Sequence, residues 1–526
     1  MTQSASIRHT LRHPIFRGLC AGGVVYFIGN AMQVMATAWL MIELTGSAFL
    51  SALVQTAVFL PMFLLSLPAG VLADVTDRRR LLVAALLTQA AVVAVLTALL
   101  LADLAGPASL LFFTFVVGCC TALLSPAWNT TVADSVPREE LPQAITLISI
   151  AYNGARALGP TLAGLVFAYA GSDWVFGIAV VTTLAMWRSI RRFPPKAHPP
   201  TRLPAERLWG GTLAALRFAR HSQSILAQLL RTMAYGAAGS ALWALLPVIG
   251  QQQLGLGAAG FGALIGCLGF GAVAAGLVVG RARARFGLEF VVNAGSLVFA
   301  ATMAIAAWSR WHWLVYLALI AGGGAWMSVM STFNTATQTS APPWVRSRAA
   351  ALHALSALGA FAFGSAFWGL VSTVFGLQAA LTIAAGVMLA GLLLARPFPL
   401  RMGDAQDVTP AAPWEDLFVV DEPDPRAGPV AVEVSYRIRA DEASAFLDAV
   451  SQLRAPRRRD GATFWRVYRD LSDASRYCER FIVTSWADYL HQRSRATLAD
   501  QELEARVRAF LADGESVTMQ HYIAER

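Results

Sequence analysis

Between Phe16 and Ala395 the chain returns repeatedly to apolar runs of about twenty residues, each long enough as a helix to cross a hydrocarbon layer of roughly 30 Å. No other feature constrains the fold as tightly. Inside lipid every backbone N–H and C=O must find its partner within the protein, and runs of this length do so as helices. Twelve spans are expected. The first six are Phe16 to Ile42, Phe49 to Leu72, Leu81 to Ala102, Ser109 to Val132, Ala144 to Ala168 and Trp174 to Trp187. The second six are Ile225 to Ile249, Ala258 to Gly280, Leu288 to Trp308, Trp313 to Asn334, Ala349 to Val374 and Leu377 to Ala395. The whole-chain balance agrees, with 56% hydrophobic residues, 14% charged residues and a mean hydropathy of +0.54.

The formal charge of +9 could point to nucleic acid, but its distribution argues against that class. Basic residues gather in alternate loops: Arg8, Arg12 and Arg17; Arg78 to Arg80; Arg138; Arg188, Arg191, Arg192 and Lys196; Arg281, Arg283 and Arg285; then Arg346, Arg348, Arg396 and Arg401. The intervening loops carry almost none, Arg310 excepted. The positive-inside bias places both termini in the cytoplasm of a multi-pass cell (inner) membrane protein. The first span has no small-residue cleavage pattern and is expected to be retained. Five cysteines, four of them inside spans, lack metal-ligand spacing and read as apolar fillers. No metal, cofactor or nucleic-acid partner is expected, while membrane lipid is a required one.

The spans fall into two halves, residues 1–187 and 221–400, joined by a basic, proline-rich linker over 188–220. Sliding the sequence by 205 positions aligns Gly118–Gly171 with Gly323–Gly376 without a gap, and 15 of the 54 positions are identical. Composition alone would give about 8% identity, so a duplication is the simplest cause, and internal repeats are what alternating-access transporters are built from. A second, acidic linker covers 401–429. From Val430 the pattern turns soluble: VAVEVSYRI, ATFWRVYRDL, RYCERFIVTSW and SVTMQHYIA alternate as strands, with amphipathic helices between. The order β-α-β-β-α-β suits a cytoplasmic ferredoxin-like domain over 430–526. The expected fold class is therefore an all-α membrane protein of twelve transmembrane helices in two six-helix repeats, plus a C-terminal α+β ferredoxin-like domain.

Several polar residues stand out against this apolar background. Asn153-Gly-Ala-Arg156-Ala-Leu-Gly159-Pro160 lies mid-way along the fifth span, where Gly-Pro permits a kink and Ala155, Gly159 and Ala163 form a small-residue face for close helix contact. Arg156 enters about 18 Å deep at 1.5 Å per residue, too far to snorkel readily to either surface. It shares a helical face with Ser149 and Asn153, a polar stripe suited to a central cavity. Asn30 and Gln33 on the first span and Gln55 on the second are further cavity candidates, though each taken singly reads as an interhelical hydrogen bond before a substrate contact. Arg231 is close enough to its span's end to snorkel. No acid lies mid-span: Glu43 sits at an outer edge and Asp134 at an inner one, which leaves these two as coupling candidates.

Gly70-x-Leu-Ala-Asp74-x-x-x-Arg78-Arg79 in the turn after the second span resembles the signature loop of the major facilitator superfamily. By that resemblance the loop latches the two halves in the outward-open state. The latch residues become Gly70, Asp74, Arg78 and Arg79, with Asp134 as the partner of Arg78. Asp77 stands where the family usually has Gly, and its charge is expected to offset part of the pairing. The second-half loop GRARARFG (280–287) keeps arginines without the acid. Gly154, Gly159, Pro160 and Gly164 resemble the helix-packing Gly-Pro motif on the fifth helix of that superfamily's drug and proton antiporters, which implies efflux.

Together with FIGNAMQVMATAWLMIELTGS and VADSVPREELPQA, these motifs are similar to the enterobactin-exporter-like branch, the transmembrane secretion effectors. RRRDGATFWRVYRD and ERFIVTSWADYLHQRSRAT resemble the tail some members carry, which is similar to dimeric monooxygenase-like domains. The resemblance implies a secondary active transporter that exports a siderophore-like, drug-like or metabolite small molecule by alternating access. A proton is its coupling candidate and the tail a dimerisation candidate. Enzyme activity is not expected, since the tail's His491 and His521 lie in no catalytic cluster. A transport-inactive receptor and a tail with monooxygenase-like activity remain alternatives.

Overall fold

A computed structural model describes residues 7–192, 208–411, 421 and 423–525. The first half holds six long helices: α1 (Pro14–Thr45), α2 (Ala48–Val75), α3 (Arg78–Leu101), α4 (Pro107–Asp134), α5 (Leu141–Ala170) and α6 (Ser172–Arg191). A shorter helix, α7 (Leu208–His221), precedes the second six. These are α8 (Gln223–Val248), α9 (Ala258–Phe286), α10 (Leu288–Trp308), α11 (His312–Ser340), α12 (Arg346–Phe375) and α13 (Leu377–Gly391). Each expected span thus has a helix. Among the described residues ten of them are long and apolar enough to cross a membrane; α5 and α6 fall outside that set. Their lower apolarity has a local cause: α5 carries Gln143, Asn153 and Arg156, and α6 carries Asp173, Arg188 and Arg191 within only 20 residues.

Helix ends follow local chemistry. Gly46, at φ 60°, closes α1 in the left-handed region, and the Ser47 side chain then accepts the Leu50 N–H to start α2. Gly171 and Gly376, a matched pair in the repeat, both take strongly positive φ (97° and 87°) where the fifth helix of each half turns into the sixth.

The chain divides into two compact units, one of residues 1–200, 231–332 and 355–395, the other of residues 201–230, 333–354 and 396–526. In the first unit the duplicated sequence makes duplicated contacts. Gly118 brings α4 against the Ala57 and Val58 carbonyls of α2, and its counterpart Gly323 brings α11 against Leu268 of α9. Gly159 seats α5 on Ile28 and Ala31 of α1, as Gly364 seats α12 on Ala237 and Ser240 of α8. Gly164 places α5 on Ala258 and Gly262 of α9, while Gly369 places α12 on Phe49 and Ala52 of α2. The fifth helix of each half therefore crosses the second helix of the other. Between α2 and α12 the contact is extended by Thr56, whose hydroxyl donates to the Ala362 carbonyl (2.9 Å), and by the Phe59–Phe361 and Phe63–Phe363 ring pairs. Trp39 stacks on Phe261, 5.3 Å between centroids. These contacts between halves run from mid-helix to the ends remote from the arginine-rich turns.

In the second unit, residues 430–523 form a four-stranded antiparallel sheet, β1 (Val430–Arg437), β2 (Phe464–Arg469), β3 (Arg476–Val483) and β4 (Thr518–Ile523), in the order β2-β3-β1-β4. Helices α14 (Ala443–Ser451) and α15 (Arg454–Asp460) follow β1, and α16 (Trp486–Arg495) and α17 (Leu498–Arg508) follow β3. Val430, Val432, Val434 and Tyr436 alternate inward on β1 and pack with Phe446, Val450, Trp486, Tyr489 and Val507 from the helices.

Candidate functional site

Arg156 sits on α5 between two aromatic rings, its guanidinium carbon 5.9 Å from the Tyr152 centroid and 5.7 Å from that of Trp243 on α8. It makes no hydrogen bond or ion pair among the described residues. Ile145, Ser149, Tyr152 and Arg156 are exposed in a line along one face of α5. A guanidinium in such a setting keeps donors that can meet an anionic or carbonyl-bearing group. Ser149 and Asn153 share this stretch of helix, but Asn153 Nδ2 donates back to the Ser149 carbonyl (2.8 Å), which commits one of its donors. Gln33 is buried, Asn30 and Gln55 are half-buried, and none of the three makes a side-chain hydrogen bond among the described residues or is joined to Arg156 by one.

The charged turn is built around Asp77. Its side chain caps α3 by accepting the Arg80 N–H (3.0 Å), and Arg78 Nη1 donates to Asp134 Oδ2 at the end of α4 (3.1 Å). Asp77 thus serves the helix start, where the unpaired N–H groups are, and its second carboxylate oxygen stands 4.0 Å from Arg80 Nε, an arginine of the same run. Arg79 Nη2 donates to the Arg191 carbonyl at the end of α6 (2.5 Å). The Asp74 side chain lies outside the described residues. Among the described residues Gly70 does not provide a close approach, since none of their atoms stands within 4 Å of where a Cβ would be, and the same holds at Gly154. Gly159 and Gly164 do provide one, with Pro160 buried between them in a continuous α5. In the second half Arg283 donates to the Ser331 carbonyl of α11 (3.1 Å), the acid-free counterpart of Arg78 reaching α4.

Glu43 is exposed at the far end of α1. Arg231 is corrected from a snorkelling residue to a buried one, 4% exposed, whose Nη1 donates to Glu289 Oε1 at the start of α10 (2.6 Å). Glu289 was the residue missed; the signal available was an acid in the first turn of the ninth span. Trp243 and Tyr152 were missed because an aromatic within an apolar run carries no mark of its own.

The RRRD run of the tail is not a solvated basic patch. Arg457 bridges Glu479 (3.1 Å) and Glu504 (2.8 Å), Arg459 bridges Asp460 (2.8 Å) and Asp500 (2.5 Å), and Glu479 is fully buried beneath the sheet, where it also accepts from Tyr436 (2.9 Å) and Trp465 (2.8 Å). Burial pushes the Glu504 carboxyl up to about 7, with Arg457 opposing and the Glu479 charge adding to it. His491 is exposed; His521 Nε2 lies 2.5 Å from the Tyr489 hydroxyl, and burial lowers its pKa. The cleft beside them, lined by Arg457, Tyr489, Arg493, Asp500 and Met519, measures about 50 Å³, far below the ~300 Å³ of small-ligand sites.

Residues 5–526 match the transmembrane secretion effector family of the major facilitator superfamily. The chain belongs to that family. Its curated relatives include the staphyloferrin A transporter of Staphylococcus aureus, 26% identical over 32% of this chain and 45% of that protein. The multidrug efflux pump Tap of Mycolicibacterium fortuitum is 24% identical over 73% of this chain and 92% of the pump. The chain thus spans less than half the length of the first of these relatives and nearly all of the second. The nucleoside transporter NupG shares the fold, with a TM-score of 0.62 over 74% of this chain and all of NupG, at 12% identity. The family member described here is a multi-pass, mostly helical membrane protein with a small C-terminal sheet.

Proposed function

We propose that this protein is a twelve-span exporter of the cell (inner) membrane, with both termini in the cytoplasm, and that it moves small molecules bearing an anionic group by alternating access. The observation that carries the reading is Arg156: a cation in the middle of α5, flanked by Tyr152 and Trp243 and with no acceptor among the described residues. The export direction rests on the efflux and staphyloferrin A transporters among its relatives and on the Gly-Pro packing face of α5. In this reading Asn30, Gln33, Gln55 and Asn153 line the substrate path. Gly154, Gly159, Pro160 and Gly164 set the packing of α5. Gly70, Asp74, Arg78, Arg79 and Asp134 form the latch, and Glu43 and Asp134 are the groups through which a proton would couple. The duplicated helix crossings close the end remote from the arginine-rich turns, so substrate enters from the cytoplasmic side.

The strand order β2-β3-β1-β4 with helices after β1 and β3 supports a ferredoxin-like tail, similar in kind to monooxygenase-like domains. Its narrow cleft favours a regulatory or dimerising role over turnover. Metabolite profiling of cells lacking the protein tests the function. An anionic compound retained inside those cells and released on complementation by the intact chain, but not by Arg156→Ala, is the expected result. Retention of only neutral or cationic compounds, or full complementation by Arg156→Ala, would overturn the assignment.

A further inference from the structure

A short helical segment, Ile7–Thr10, and the turn leading into α1 lay His9 and His13 over Glu140, the last residue of the Arg138–Glu140 turn between α4 and α5. His9 Nδ1 is 2.8 Å and His13 Nε2 3.3 Å from Glu140 Oε1, and the three ligand-type atoms all fall within 4.8 Å of one another. Two ligands of a tetrahedral zinc ion at 2.0–2.1 Å stand about 3.3 Å apart, within the spread of these separations. Glu140 is 6% exposed, and His13 Nε2 stands 3.3 Å from both of its carboxylate oxygens, so the two imidazoles converge on one buried carboxylate. The imidazoles are more open, with side-chain exposures of 54% for His9 and 34% for His13, so an ion could enter and keep a solvent position.

The duplication supplies an internal control. Glu140 corresponds to Val345, and in the second half this corner is an apolar cluster of Phe218, Ile225, Ala341, Val345 and Ala349. Holding a preceding helix on this turn therefore needs nothing more than apolar contact. The first half uses two imidazoles and a carboxylate instead, a donor set suited to borderline divalent ions.

We propose that His9, His13 and Glu140 bind one divalent transition-metal ion of zinc-like preference, with water in the remaining position. The ion would staple the segment ahead of α1 to the turn between α4, which ends in Asp134, and α5. The test uses the full chain, purified in detergent and stripped with a chelator. One equivalent of Co2+ should give the visible bands of a four- or five-coordinate site, and Zn2+ should displace it. The double variant His9→Ala/His13→Ala should lose the bands and weaken Zn2+ binding at least 100-fold in competition with a chromophoric chelator, and Glu140→Gln should weaken it at least tenfold. His9 is exposed, so His9→Ala alone gives a folded variant, with an expected loss of at least tenfold. Bands and affinity unchanged in the histidine variants, or no metal bound by the intact chain at 0.1 mM Zn2+, would overturn the proposal.

Discussion

Helices α5 and α12 occupy matched places in the repeat and share much of their packing, yet on the face that carries Arg156 only α5 is polar. Both keep glycines at the matched positions 154/359, 159/364 and 164/369, and both cross the second helix of the opposite half. The residues on the face that includes Arg156 differ. Ser149, Tyr152, Asn153 and Arg156 of α5 stand where α12 has Ala354, Ala357, Leu358 and Phe361. Phe361 fills its place by packing on Phe59 and Trp326, with centroids 5.0 and 5.2 Å away. The scaffold thus uses the 159/364 and 164/369 glycines twice and the polar stripe once, which is what singles the stripe out in the proposed function.

The largest effect expected is at that stripe. Arg156→Ala should lower export of the retained compound roughly 10- to 100-fold, the loss of a charge-assisted contact of about 1.5–3 kcal/mol, while Phe361→Leu should stay within about twofold. Equal losses in the two variants would break the comparison and make Arg156 a packing residue. Next come the glycines. A Cβ at Gly164 would stand 2.6 Å from the Ala258 carbonyl oxygen, and one at Gly369 2.5 Å from the Ala52 Cβ. Gly164→Ala and Gly369→Ala should each disfavour closure of the remote end by about 1–3 kcal/mol, with Gly154→Ala, which meets open space, as the silent control. Distance distributions between spin labels at the remote ends of α5 and α9 read the first, and labels on α2 and α12 read the second. An effect at Gly154 equal to that at Gly164 would show that backbone propensity, not close approach, is responsible.

A third comparison sets the polar corner of the first half against the apolar corner of the second, beside which the tail docks. Arg459 lies over Phe218 (5.8 Å), Arg495 lies over Trp344 (4.2 Å), and Arg217 donates to the Gly461 carbonyl (2.8 Å). In the tail, the Glu504 carboxyl titrates at about 7 when folded and near 4.5 when unfolded, so the folded form holds the extra proton between those values. Its contribution is complete below about pH 4.5 and is lost as the pH rises through about 7. Hydrogen exchange of peptides from 430–523 in the full chain should therefore quicken severalfold from pH 5 to pH 8 after correction for intrinsic rates. Glu504→Gln should flatten that profile and leave helix peptides of the first half unchanged. A profile no flatter in Glu504→Gln would assign the dependence to another group.

Much of this architecture is legible in the sequence, and the reasons are physical. Apolar runs of membrane length locate ten of the long helices outright, and strand alternation locates β1 to β4, because both patterns report removal from water directly. The repeat offset of 205 also picks out the glycines that make the crossings. What stays hidden is pairing at a distance. His9 and Glu140 are 131 positions apart, and Arg231 and Glu289 are 58 apart, so neither pair leaves a local spacing to read. The same limit explains the RRRD run: three arginines in a row look solvated until the sheet brings Glu479 beneath them and α17 brings Glu504 and Asp500 alongside. Gly70 shows the converse: its motif position is plain in the sequence, yet no described atom stands within 4 Å of where its Cβ would be.

The smallest effect expected separates the two arginine turns. Arg78 pairs with Asp134 across partly exposed side chains, 23% and 36%, so the pair contributes only about 0.2–1 kcal/mol and is weakened by salt. Arg283 in the second half donates to a backbone carbonyl, a contact far less sensitive to ionic strength. Asp134→Asn should change the ratio of the two access states by no more than about fivefold at low salt and by little at 0.5 M KCl. Arg283→Ala should shift the ratio by a similar amount at both salt concentrations. If Asp134→Asn instead abolished switching, the pair would be acting at a proton-coupled step rather than as an electrostatic latch. In that case Asp134, and not the arginine beside it, would be the residue that distinguishes the first half from the second.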